Sequence, residues 1–144
     1  MFSKRFVLGS LSGALAFLFV TSSWAADLAE IKKRGEMLAT KGDPARGIPA
    51  CANCHGPSFT GMEPAIPGLL GLRTNYISAQ LGAWRYGTRT AAAPDCMQIV
   101  AGHLTEDDVK ALAAWLSSRQ APSNPAPVPR GTLRMPLSCG SEPN

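Results

Sequence analysis

Five consecutive residues, Cys51-Ala52-Asn53-Cys54-His55, constrain this chain more than any other feature. Two thiols three positions apart, followed at once by an imidazole, form the CxxCH pattern of a c-type haem attachment site. The spacing has a chemical reason. The two sulfurs reach the two vinyl groups on one edge of a porphyrin, and the adjacent imidazole turns under the ring to ligate iron from the proximal side. A thioredoxin-like dithiol would want a preceding strand and a βαβ pattern, and a zinc site would want a second CxxC or an HxxxH. Neither accompanies the motif: the remaining cysteines are Cys96 and Cys139, and the other histidine is His103. The chain is therefore expected to wrap one haem c, bound covalently through Cys51 and Cys54 with His55 on the metal.

Attachment of this kind takes place outside the bacterial cytoplasm, and residues 1–25 read as the leader that sends the chain there. Lys4 and Arg5 form a basic start, Val7 to Val20 an apolar stretch, and Ser23-Trp24-Ala25 a small-residue cleavage site before Ala26. A retained membrane anchor is the competing reading. It is weakened by the glycines, serines and threonine that dilute the apolar run. Loss of Lys4 and Arg5 lowers the formal charge from +4 to about +2. Two haem propionates then bring the total near neutrality, so nucleic-acid binding gains no support. The expected organisation is a signal peptide at 1–25, a haem domain at 26–119 and a Pro-rich extension at 120–144.

The pattern between these limits is helical. Leu28, Ile31, Met37 and Leu38 recur among charged residues from Asp27 to Lys41, predicting an amphipathic helix stopped by Gly42. Gly35 in its interior is costly, which points to a close helix crossing. Residues 56–71 are too rich in Gly and Pro for regular structure and read as a loop around something apolar. Tyr76, Ile77, Leu81 and Trp84 predict a second helix from Thr74, as N-cap, to Tyr86. Thr105-Glu106-Asp107-Asp108 reads as the capped, acidic start of a third, carrying Val109, Leu112, Ala113, Trp115 and Leu116. That last helix is the natural partner for the first.

This order of elements resembles the class I c-type cytochromes of bacterial periplasms, over about Gly35 to Ser118. The likeness rests on four motifs: CxxCH after a glycine-bearing helix; Pro67-Gly68-Leu69-Leu70-Gly71; a Tyr-x-x-x-Gln-Leu-x-x-Trp-Arg-x-Gly-x-Arg helix from Tyr76 to Arg89; and a methionine segment before a C-terminal aromatic helix. It is similar to the small monohaem members and to one half of their dihaem relatives. The resemblance implies an all-α cytochrome c fold, three to five helices around one covalent haem, here followed by an irregular Pro-rich tail. It also implies that Pro67, twelve residues past His55, offers its carbonyl to the imidazole, a contact that orients the ring and raises its basicity.

For the sixth iron ligand, His103 and the methionines are available. Met37 lies within the first helix, Met62 stands close behind His55, and Met135 is in the tail. Met97 lies in an irregular stretch ahead of the last helix, and Met97 to Thr105 resembles the family's methionine-ligand segment. Met97 is therefore the expected ligand, and a thioether there would raise the reduction potential. His103 is expected at the surface. Cys96 directly precedes Met97, and Cys139 ends the Pro-rich tail. In an oxidising compartment these two leftover thiols are expected to form a disulfide that staples the tail beside the methionine side, the alternatives being two free thiols or an intermolecular bridge through Cys139.

The expected function is one-electron transfer in the periplasm, by a carrier that is soluble once the leader is removed, working free or as the cytochrome subunit of a periplasmic dehydrogenase. The partners would be redox proteins: a dehydrogenase or membrane reductase as donor, a terminal oxidase or reductase as acceptor. A haem-based sensor would need a displaceable sixth ligand. A haem enzyme would need an open distal face with an acid–base residue, and only His103 offers one. Arg73, Arg85, Arg89, Trp84 and Tyr86 are the candidates to meet the propionates or line the haem edge.

Overall fold

A computed structural model describes residues 14–142, with side chains from Trp24 onward. The chain divides into two compact units, Met1–Glu30 and Ile31–Asn144. The first is helical from Ala14, and its residues 24–30 are exposed. Of the expected leader, residues 1–13 lie outside the described residues. No described helix is long and apolar enough to cross a membrane.

The described residues form five α-helices and one short 3-10 turn: α1 (Ala14–Thr40), the 3-10 turn Pro44–Arg46, α2 (Ala52–His55), α3 (Thr74–Arg85), α4 (Cys96–His103) and α5 (Glu106–Ser117). The described residues pair only through isolated bridges, not strands. Helix α1 begins well before the expected Asp27, because the Ala-rich run ahead of it contains no breaker. It ends where expected, with the Gly42 N–H bonded back to the Met37 and Leu38 carbonyls at 3.1 Å.

Gly35 marks a close crossing. A Cβ at this position would run into the carbonyl of Ala111 and the Cβ of Trp115, so α1 can lie against α5 only where it carries no side chain. One turn away, a buried carboxylate locks the same pair. Asp108, with a fully buried side chain, accepts from Arg34 of α1 at 2.9 and 2.5 Å and from Arg46 of the 3-10 turn at 2.7 Å. It also closes the capping box: Thr105 Oγ1 receives the Asp108 N–H at 3.2 Å, while Asp108 Oδ2 receives the Thr105 N–H at 2.9 Å. Burial by itself would raise this carboxyl. Hydrogen bonds from Arg46, Thr105 and Arg34 outweigh that and hold it well below the usual carboxylate range.

The core comprises Leu38, Ala39, Ile48, Phe59, Ile77, Leu104, Leu112, Ala113, Trp115 and Leu116. Phe59 meets Trp115 edge-on, with ring centroids 5.5 Å apart. The chain from Gln120 to Glu142 is non-helical, as its prolines lead one to expect. It is fastened to the domain all the same: Val128 exchanges backbone hydrogen bonds with Gly61 and Glu63, each 2.9 Å.

Two further expectations need correction. Thr74 is the first residue of α3 and not its cap; Arg73 holds the cap position without a side-chain bond, and the Thr74 hydroxyl pairs with that of Ser117 at 2.7 Å. Met97 does not lie in an irregular stretch but in the first turn of α4. Asp95 makes that turn helical by accepting the backbone N–H groups of Met97 and Gln98.

Gly35→Ala is expected to destabilise the holoprotein by about 1–3 kcal/mol through overpacking at the α1–α5 crossing; urea unfolding gives the value, and an unchanged midpoint would contradict the crossing. Asp108 predicts an acid dependence. Its folded pKa is depressed, so the stabilisation is complete above the unfolded value near 4 and is lost as pH falls toward the lower folded value. Asp108→Asn is expected to cost about 2–3 kcal/mol at pH 7, with the gap between wild type and variant narrowing progressively as unfolding is repeated in increasingly acid buffer.

Candidate functional site

Between the helices lies a cavity of about 470 Å³ with mostly apolar walls. Leu38, Ile48, Ile77, Leu104, Leu112 and Leu116 belong both to its wall and to the core, so the hydrophobic core is built around this space. Cys51, Cys54, His55, Pro67 and Met97, drawn from elements far apart in the chain, all line it.

The CxxCH segment is a single helical turn. The Cys51 carbonyl accepts the N–H groups of Cys54 at 3.2 Å and His55 at 2.9 Å, which places the two thiols and the imidazole on one short piece of backbone. Both cysteines are free thiols. Burial pushes the Cys51 thiol up to about 12, and Cys54 is raised for the same reason. His55 is buried, and burial lowers its pKa, partly offset by its hydrogen bond to Pro67.

That hydrogen bond is 2.7 Å long, from His55 Nδ1 to the Pro67 carbonyl oxygen. A carbonyl can only accept, so Nδ1 carries the proton and the lone pair of the neutral ring is on Nε2, the form a metal binds. The loop that delivers Pro67 is held by its own backbone. Gly61 N–H returns to the His55 carbonyl at 2.8 Å, Met62 and Ile66 exchange bonds of 2.9 and 3.0 Å, and Leu69 N–H reaches Phe59 at 2.9 Å.

Helix α3 supplies Tyr76, Gln80, Leu81 and Trp84 to the wall, together with Arg89 just beyond it. Trp84 Nε1 is buried and has no hydrogen-bond partner. The Arg89 guanidinium stacks 3.9 Å from the centroid of the Trp84 ring and bonds Gln80. Of the five residues the sequence offered for propionate contacts, Trp84 and Arg89 line the cavity. Arg73, Arg85 and Tyr86 do not; Tyr86 instead joins Arg85 to Glu106 at the surface. Gln80 was missed from sequence, since a polar residue on a half-buried helix face carries no signal of its own.

The other potential ligands fall elsewhere. Met62 is buried, but in the bridges to Ile66 and Val128 and away from the cavity wall. Met37 and His103 are exposed, and Met135 does not line the cavity. Cys96 and Cys139 stand together, with Cα atoms 5.1 Å apart and sulfurs joined.

These residues fit a haem c. Two thiols and an imidazole of fixed tautomer lie on one wall segment, a thioether lines the same space, and the surroundings are apolar. An orphaned indole N–H beside a guanidinium suits the carboxylates that such a group carries.

Known proteins agree. The cytochrome c family profile matches residues 33–120. The chain is 41% identical over 85 residues to a thiosulfate dehydrogenase electron acceptor of Thiomonas intermedia, covering 59% of this chain and 39% of that protein. It is 33% identical over 106 residues to a cytochrome c4 of Pseudomonas aeruginosa, covering 71% and 53%. A solved thiosulfate dehydrogenase of Marichromatium purpuratum superposes with a TM-score of 0.56 at 43% identity, over 59% of this chain and 18% of that one. The chain thus spans about half or less of the length of each. This chain therefore belongs to the cytochrome c family, whose cofactor is a covalently attached haem c.

Proposed function

We propose that this protein is a periplasmic one-electron carrier in which His55 and Met97 are the axial ligands of a single haem c held through Cys51 and Cys54. One observation carries this reading: an imidazole locked by the Pro67 carbonyl shares an apolar cavity with two free thiols and the Met97 thioether. The haem supplies a ferric–ferrous couple that changes by one electron. The chain's own residues do the rest. Pro67 fixes the imidazole and makes it a stronger donor, the apolar walls keep water from the metal, and Trp84 with Arg89 receives the carboxylate edge. A protein with both axial positions filled has no place for substrate on the metal, so a sensor or an enzyme gains less support than a carrier.

Residues 1–25 act as a removable leader in this reading, and Cys96–Cys139 is a disulfide suited to the oxidising compartment the leader leads to. The electron donor is a periplasmic dehydrogenase, and the relative named as an electron acceptor of thiosulfate dehydrogenase makes that enzyme the first to test. A terminal oxidase or reductase serves as acceptor.

Optical spectra of the oxidised holoprotein are expected to show the weak far-red methionine-to-iron charge-transfer band, and the reduced form to take up carbon monoxide slowly. Met97→Ala is expected to abolish the band and bind carbon monoxide readily, while Met135→Ala keeps wild-type behaviour. Persistence of the band in Met97→Ala would overturn the ligand assignment. Thiol titration of the denatured, unreduced holoprotein is expected to find no free thiol; two would rule out the Cys96–Cys139 bridge.

A further inference from the structure

Helix α4, which carries Met97, is poorly anchored by its own packing. It has eight residues, of which Ala101 alone is buried, and a helix so short is marginal by itself. The chain leading into it, residues 91–94, is exposed. Apart from the packing of α4 on α3, its first turn is held locally by the Asp95 cap, so a thioether there depends on what fixes the chain that enters the helix.

The tail supplies what α4 lacks. Cys139 is joined to Cys96, the residue before Met97. The Gly140 N–H bonds the Pro94 carbonyl at 2.9 Å. A Cβ at Gly140 would strike the carbonyls of Ala92 and Ala93, so the tail backbone lies directly on the chain that enters α4. The same segment is fastened to the loop that carries Pro67. Val128 pairs with that loop at Met62, and the buried Glu142 accepts the Ala65 N–H at 3.2 Å while lying 3.9 Å from Arg130. Leu137, Cys139 and Ser141 themselves line the cavity.

We propose that residues Val128 to Glu142 form a positioning strap that splices the loop orienting His55 to the segment presenting Met97, and so holds the sixth ligand in place. This inference rests on the reading of Met97 as a ligand. The strap acts on Met97 through the backbone of residues 92–97, while Leu137, Cys139 and Ser141 add only to the cavity wall. Loosening it leaves the thioether present but increases the fraction of molecules in which it has left the metal. Uptake of an external ligand rises in proportion to that fraction.

Two variants loosen the strap by different means: Cys96→Ser with Cys139→Ser, which removes the covalent tie, and Gly140→Val, which pushes the backbone off Ala92 and Ala93 while leaving both cysteines. Gly35→Ala, which disturbs the α1–α5 crossing, controls for general loss of stability. The expected result, in purified holoproteins with haem still covalently bound, is a weakened charge-transfer band and carbon monoxide uptake faster by about tenfold in both strap variants, well above the Gly35→Ala control. Uptake as slow as wild type, or no faster than the control, would overturn the strap. If the double variant fails to accumulate, Gly140→Val decides alone. A wild type that lacks the band and binds carbon monoxide freely would instead sink the Met97 reading, and the strap with it.

Discussion

The hydrogen bond from His55 Nδ1 to the Pro67 carbonyl ties the chemistry of this protein to the path of its backbone. It selects one tautomer of a buried ring, and the lone pair it leaves on Nε2 is in the form a metal would bind. Its acceptor comes from a loop with no regular structure, so the whole stretch from Gly56 to Leu72 has to be shaped to deliver one carbonyl. That explains why the loop makes so many backbone bonds within itself, among them the Gly61 return to His55 and the Met62–Ile66 exchange. A flexible loop would blur the ring orientation and with it the donor strength of the imidazole.

The remaining helices divide between enclosing the cavity and bracing the enclosure. Leucines and isoleucines from α1, α3 and α5 form walls that are also the core, so folding and cofactor retention draw on the same side chains. The brace lies behind them. Gly35 lets α1 press onto α5, and Asp108 gathers Arg34, Arg46 and Thr105 around one carboxylate. Removing that carboxylate would leave two guanidinium groups and a helix cap without their common acceptor, and this makes the charge cluster a structural part and not a functional one.

The tail changes how the domain should be pictured. In a cytochrome c domain that ended with α5, residues 91–97 would rely on the Asp95 cap and α3 for support. Here a Pro-rich segment returns across the molecule and meets both the Met62 loop and the Ala92–Cys96 segment. Proline stiffness suits this arrangement, since an extended chain with few conformations loses little entropy on being laid against a surface.

Sequence alone determined the cofactor, the helices with long apolar periodicity, the Thr105 cap and the tight crossing at Gly35. Each of these is a local pattern: a ligand spacing, a 3.6-residue period, a capping box, or a glycine where a helix should avoid one. Other features were hidden because they are relations between distant residues. Helix α4 was missed since eight residues after a proline are too few to establish a period, and its start depends on a single Asp95 side chain. Which arginine and tryptophan enter the cavity was undecidable before α3 had a fixed rotation, and Arg85 and Arg89 separate only once it does. The pairing of Cys139 with Cys96 could be expected from which thiols the haem motif leaves over, but that Gly140 lies on the Ala92 and Ala93 carbonyls follows only from the path the folded chain takes. Backbone contacts between residues more than forty positions apart leave no spacing to read, so tertiary structure alone decides them.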